Sequence, residues 1–136
     1  MKTMVLLTAL LSFLYCLFIS AAMIVQEKPW VVPEASRKMK NPVKNSNDNI
    51  NIAKSLYAKH CKSCHGKNGE GDGPKAAELK TAAGEFTSDE FQNQTDGELY
   101  YKTTEGRDDM PGFKKKIAAD EDRWLIVNFL RTFKPQ

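Results

Sequence analysis

Two cysteines three positions apart, with a histidine directly behind the second, constrain this chain more than any other feature; they lie in His60-Cys61-Lys62-Ser63-Cys64-His65. The pattern is C-x-x-C-H, the spacing of covalent haem attachment. One helical turn between Cys61 and Cys64 lets each sulfur reach one of the two vinyl groups on a haem edge. His65 is then carried under the ring, where it offers a nitrogen to the iron. Two other chemistries use paired cysteines. A closed zinc site needs four ligands, but the chain holds three cysteines and two histidines, and four of these five crowd one short segment, too close together to wrap a tetrahedron. A thiol–disulfide exchange module needs strands alternating with helices around the pair, and no convincing period-2 run of β-branched residues lies near it.

A second signal comes from Gly106-Arg107-Asp108-Asp109-Met110-Pro111-Gly112-Phe113, a polar, glycine-bounded loop unsuited to helix or strand. A thioether in such a loop is exposed unless something binds it, and methionine sulfur is a workable soft ligand for haem iron. An isolated methionine more often fills a gap in a core. With both motifs in place, the chain resembles the class I c-type cytochromes, small monohaem electron carriers of the bacterial periplasmic type, over residues 49–134. The resemblance implies thioether bonds to Cys61 and Cys64, and His65 and Met110 as the axial ligands of one haem c. It also implies an all-α, cytochrome c-like fold of three to five helices wrapped around that haem. In the resembling family the loop after the motif skirts the proximal face, and a proline carbonyl there accepts a hydrogen bond from the other nitrogen of the ligand histidine. Pro74 is the candidate for that role.

Taken in order, the chain begins with Lys2 and an uncharged run from Met4 to Val25. Ser20-Ala21-Ala22 offers the small residues of a signal cleavage site, with the cut after Ala22. The run is also about 22 residues long, enough to span a bilayer core of roughly 30 Å. Residues 1–25 therefore read as a signal peptide or a retained membrane anchor, with Cys16 an apolar filler within it. Either version exports the rest of the chain, and the resemblance implies a periplasmic haem domain. Residues 26–48 mix Pro29, Pro33 and Pro42 with scattered lysines and read as an extended, basic linker. Trp30-Val31-Val32 is apolar for a free linker, so docking of part of it is the other expectation.

The haem domain is expected over residues 49–136. Its first helix should start near Asn49 or Asn51 and carry Ile52, Ala53, Leu56 and Tyr57 as an apolar stripe into the cysteines. Gly66 to Pro74 is too rich in glycine for a helix or strand and reads as a wrapping loop, with no phosphate-binding motif around it. Ala76, Ala77, Leu79 and Phe86 can contact a haem or serve as ordinary core. Thr95 or Asp96 should cap a short helix through Leu99 and Tyr100 that ends at Gly106. The last helix opens on Asp120-Glu121-Asp122 and buries Trp124, Ile126, Val127, Phe129, Leu130 and Phe133. The resemblance implies that Ile126 and Phe129 cross the first helix near Ala53 and Tyr57.

From Asn49 onward there are 14 basic and 14 acidic residues, so the domain carries no nucleic-acid footprint. Lysines nevertheless cluster, with Lys59, Lys62 and Lys67 flanking the C-x-x-C-H and Lys114-Lys115-Lys116 following the methionine loop. They are either ordinary solvated charge or a basic rim that steers the protein to acidic redox partners. The expected function is one-electron transfer without an enzyme's catalytic constellation. The donors and acceptors would be redox proteins or membrane respiratory complexes. The alternatives are a haem subunit of a larger redox enzyme complex, or a peroxidase-like or gas-sensing protein with an open distal site.

Overall fold

The computed structural model describes residues 28–135. Residues 1–25, with their cleavage site and Cys16, lie outside the described residues. The chain divides into two units, one running to Val31 and one from Val32 onward. The second contains helices α1 (Glu34–Arg37), α2 (Asn47–His60), α3 (Lys62–His65), α4 (Asp89–Gln92), α5 (Asp96–Glu105) and α6 (Asp120–Arg131), with a 3-10 turn at Ala76–Glu78. No strand occurs among the described residues; one isolated bridge pairs Arg107 with Met110. The all-α expectation holds. No described helix is long and apolar enough to cross a membrane.

Helix α2 begins two residues before Asn49. Ser46, in extended conformation, accepts from the Asn49 amide at 3.2 Å and closes the helix start. Asn49 instead donates its side-chain amide to the Lys44 carbonyl at 2.8 Å. The stripe on α2 is narrower than expected. Ala53 and Tyr57 are buried, while Ile52 is 48% exposed and faces away from the core. Helix α5 follows its sequence signals closely: Thr95 caps it, Glu98 returns the hydrogen bond in a capping box, and Gly106 ends it at φ 70°.

Helix α6 is the spine. It pairs most extensively with α2 and next with α5. Ala53 is fully buried, as is Val127 on α6, with Ile126 nearly so; a small residue on one helix permits a close approach by the other. Tyr57 meets the rings of Phe129 and Phe133 at centroid distances of 5.1 and 5.3 Å, as expected for the crossing. The first turn of α6 has no side-chain cap, and its three acidic residues face the positive end of the helix instead. Arg123 is buried there, donating to Tyr100 Oη at 3.1 Å, to the Ile117 and Ala118 carbonyls, and to Asp120. At the other end the Arg131 guanidinium binds Asp96 and the carbonyls of Gln92 and Gln94, pinning the α4–α5 junction to α6.

The stretch expected to be an extended linker is not one beyond Val32. Val32 is buried, α1 packs on α5, and Arg37 pairs with Glu98 at 3.4 Å. The Asn41 side-chain amide donates to Asn128 Oδ1 at 2.8 Å, and Asn128 donates in turn to the Val43 carbonyl at 3.1 Å. The packed domain therefore starts near residue 32 and not 49, because the half-buried amide of Asn41 and the buried amide of Asn128 satisfy each other and the arm's backbone where a prolyl, lysine-rich composition signals only solvation.

Gly97, at the start of α5, is buried under the arm, and a methyl group there would run into the backbone carbonyls of Ser36 and Met39. Alanine is favoured over glycine in helices by about 1 kcal/mol, while overpacking against backbone costs about 1–3 kcal/mol. Gly97→Ala is thus expected to lower unfolding stability and to expose residues 32–46 to limited proteolysis. Unchanged denaturant midpoint and cleavage would show that the arm is not held at this point.

Candidate functional site

The C-x-x-C-H stretch is built as one turn appended to α2. The amides of Cys64 and His65 both donate to the Cys61 carbonyl, at 3.1 and 3.0 Å, so the two cysteines and the histidine share a single tight turn. Gly66 ends it at φ 79°, in a left-handed conformation disfavoured for residues with a Cβ. The glycine-rich loop then folds back beneath it. Gly73 donates to the Cys64 carbonyl at 3.1 Å and Lys75 to that of Ser63 at 2.8 Å, as the wrapping-loop reading expects. A side chain at Gly73 would collide with the backbone of Ser63 and Cys64. Tyr57 ties α2 to the same turn by donating its buried hydroxyl to the Gly66 carbonyl at 2.7 Å.

His65 stacks on Phe86, ring centroids 4.3 Å apart and planes 24° from parallel. Its Nδ1 lies 3.4 Å from the carbonyl oxygen of Gly84. A carbonyl only accepts, so Nδ1 carries the proton and Nε2 keeps its lone pair. Burial lowers the histidine's affinity for a second proton, partly offset by the Gly84 bond, so the ring stays neutral at ordinary pH. Pro74 does not hold this position. The loop carries it past His65, where it is solvent-exposed, and Gly84, ten residues later, returns to the ring. A backbone carbonyl leaves no mark in the sequence, which is why sequence reasoning misses this partner.

Met110 sits at the closing position of a two-residue hairpin. Arg107 and Met110 exchange both backbone hydrogen bonds at 2.9 Å, with Asp108 between them at φ 52°. Phe113 and Lys114 then donate to the Thr103 and Thr104 carbonyls, anchoring the loop to α5. Met110 and Cys61 are both partly buried against the cluster of Tyr57, Phe86, Phe113, Ile117, Ile126 and Leu130. His65 reaches the same cluster through Phe86. Cys64 follows on the same turn as Cys61 and His65 and lines the neighbouring cleft. Cys61 and Cys64 are both free thiols. Burial, with a smaller contribution from Cys64, pushes the Cys61 thiol up to about 12.

A cleft of about 410 Å³ opens beside Cys64. Three segments line it: the end of α2 with the cysteine turn (Lys59, His60, Ser63, Cys64), the 3-10 segment (Lys75, Glu78, Leu79), and the methionine loop with its continuation (Asp109, Pro111, Phe113, Lys116). His60 meets Phe113 edge to face at 5.7 Å, and desolvation, then Lys59 and Lys116, hold it below the usual histidine range. Of the lysines singled out in the sequence, Lys59 and Lys116 reach the cleft, while Lys114 lies 4.0 Å from Glu105. Two thiols on one turn, a neutral imidazole with a free Nε2, a thioether and an apolar wall are a donor set that fits a covalently held haem. No cluster of three or more His, Cys, Asp or Glu side chains suited to a bare metal ion occurs among the described residues.

Comparison with known proteins bears on the family of the chain. The cytochrome c family profile matches residues 50–134. A chain of the reducing HAO-like protein complex of Kuenenia stuttgartiensis has a similar structure, with a TM-score of 0.63 and 25% sequence identity. The similarity covers 84% of this chain but 54% of that one, so the protein spans about half the length of that structural relative. No curated protein sequence matches the chain. On the family match, with the C-x-x-C-H turn and the all-α architecture around it, the chain belongs to the cytochrome c family, and its domain is one of haem-based electron transfer with covalently bound haem c.

Proposed function

We propose that the protein passes single electrons between redox proteins on one haem c, bonded to Cys61 and Cys64 and held axially by His65 and Met110. The observation that carries this reading is the approach of His65 and Met110 to one apolar cluster, with the Nδ1 of His65 occupied by the Gly84 carbonyl and Nε2 left for iron. Bound there, the haem supplies the ferric–ferrous couple. Gly84 fixes the tautomer and orientation of His65 and raises its basicity toward a metal. The paired backbone bonds of Arg107 and Met110 fix where the thioether is presented, and the apolar wall of Phe86 and Phe113 excludes water. Were His65 and Met110 both to hold the iron, they would leave no site for peroxide or a gas, and the protein would act as a carrier and not an enzyme. Export by residues 1–25, cleaved after Ala22 or retained, puts the domain in the periplasm. Similarity to a chain of the HAO-like complex supports a second reading, a fixed subunit of a larger redox complex. Recovery of the native protein in one stable assembly, not as a free monomer, would favour that reading.

Three measurements test the assignment. Cys61→Ala and Cys64→Ala should each prevent two-bond attachment. Full, acid-stable haem staining of the Cys61→Ala/Cys64→Ala double variant on a denaturing gel would remove the thioether roles.

Lys59, Lys75 and Lys116 line the cleft beside Cys64 and would steer an acidic partner. Reversing Lys59 and Lys116 to glutamate should slow reduction by such a partner about tenfold at low salt, with the difference shrinking as salt screens the field. Equal rates at low ionic strength would leave these lysines as ordinary solvated charge.

Met110→Ala should keep haem attached and the chain folded, because Cys61, Cys64 and His65 are untouched. Methionine ligation favours the ferrous state, so the potential should fall by about 100 mV or more, where about 59 mV is already a tenfold shift for one electron. The reduced variant should bind carbon monoxide where the parent does so weakly. A parental potential and spectrum in the variant would exclude Met110 as the ligand.

A further inference from the structure

The methionine hairpin is held from two directions. Its stem is tied to α5 by the Phe113 and Lys114 amides, which donate to the Thr103 and Thr104 carbonyls. Its tip reaches the other way. The Asp109 carboxylate, next in sequence to Met110, accepts from the backbone amide of Lys80 at 2.7 Å, across 29 residues of chain. Lys80 is delivered by the 3-10 turn at Ala76–Glu78, whose Leu79 amide donates to the Ala76 carbonyl at 3.2 Å. Asp109 and Pro111, the neighbours of Met110 on either side, line the cleft, and so do Lys75, Glu78 and Leu79 from the opposite segment. The Asp109–Lys80 bond thus joins two of the cleft's walls where they meet.

We propose that Asp109 is a positioning residue that straps the Met110 hairpin to the 75–80 segment and so holds the distal side of the haem site closed. This deepens the reading of Met110 as axial ligand and rests on it. A two-residue hairpin closed by paired backbone bonds is a rigid unit, so its tip cannot move without carrying Met110. Asp109 is exposed and contributes nothing to the core, yet its carboxylate makes a charge-assisted hydrogen bond to a main-chain donor on the facing wall. Without that bond the hairpin loses its tie to the facing wall, and the thioether can swing away while the stem bonds to α5 stay intact. The lysine side chain plays no part, because the donor is the amide.

The test uses the full haem-loaded protein with Asp109→Ala, Asp109→Asn and Lys80→Ala. Three quantities are read: exchange of the Lys80 amide, the weak far-red absorption of methionine-ligated ferric haem, and the affinity of the ferric protein for imidazole, which competes with the thioether. Asp109→Ala should speed Lys80 exchange and strengthen imidazole binding about tenfold each. Asp109→Asn, which keeps an acceptor oxygen, should restore most of both, and Lys80→Ala should behave as the parent. Faster Lys80 exchange in Asp109→Ala with parental imidazole affinity would overturn the proposal, as would an asparagine variant indistinguishable from alanine. A parent without the far-red band would instead refute methionine ligation itself, and the exchange measurement would still report whether the strap exists.

Discussion

Tyr57 joins the helix packing to the chemistry. Its ring lies against Phe86, Phe129 and Phe133, and its hydroxyl reaches the Gly66 carbonyl behind the ligand turn. Aromatic pairs of this kind contribute about 0.5–1.5 kcal/mol each beyond area burial. Leaving the Gly66 acceptor unsatisfied in the interior would cost about 1–3 kcal/mol. Burial accordingly raises the phenol's pKa far above its usual value, so the hydroxyl always has its proton to give. One residue on α2 therefore fixes both how α6 crosses and where the turn bearing His65 ends.

The core divides along this line. One cluster, around Tyr57, Phe86, Phe113 and Ile126, forms the surface on which Cys61, Met110 and the His65 ring converge. The other, around Leu99, Tyr100, Trp124 and Val127, takes Val43 from the N-terminal arm. Phe91 packs against both. A small domain buries too little apolar surface to be comfortable alone, and this one enlarges its interior in two ways. The arm adds to the second cluster, and a large flat apolar prosthetic group held at the C-x-x-C-H turn would add to the first. The stack of Tyr100 on Trp124 at 4.0 Å, with Arg123 over the tyrosine ring, stiffens the half away from the C-x-x-C-H turn.

Chemistry with a fixed spacing is what the sequence reveals. Cys61, Cys64 and His65 stand out in the sequence because their spacing is that of covalent haem attachment, and Met110 because a thioether in a polar loop asks for a reason. The Thr95–Glu98 capping box and the Gly106 stop are legible for the same local reason. Interactions that depend on a backbone group or on distant partners are not. The Gly84 carbonyl has no side chain to announce it, and Ser46 is hidden in a run of residues that can all cap a helix. Ile52 fits an apolar stripe by period but falls on the flank where no helix covers it. The arm reads as a linker beyond Val32 because its attachment lies in the pairing of Asn41 with Asn128, across 87 residues.

That attachment also sets a length. A free linker over residues 26–48 would reach roughly 75–80 Å when extended, at about 3.3–3.6 Å per residue. With the chain packed from Val32 onward, only residues 26–31 separate the apolar run ending at Val25 from the domain, a reach of about 20 Å. In a retained, anchored form the packed chain would begin within about 20 Å of the end of the apolar run, a distance shorter than the bilayer core of roughly 30 Å. Its exchange partners would then be restricted to proteins seated in, or pressed against, that same membrane. Cleavage after Ala22 would lift the restriction without altering any contact within the domain, so in such a chain one proteolytic cut would separate a short-range surface relay from a diffusing shuttle.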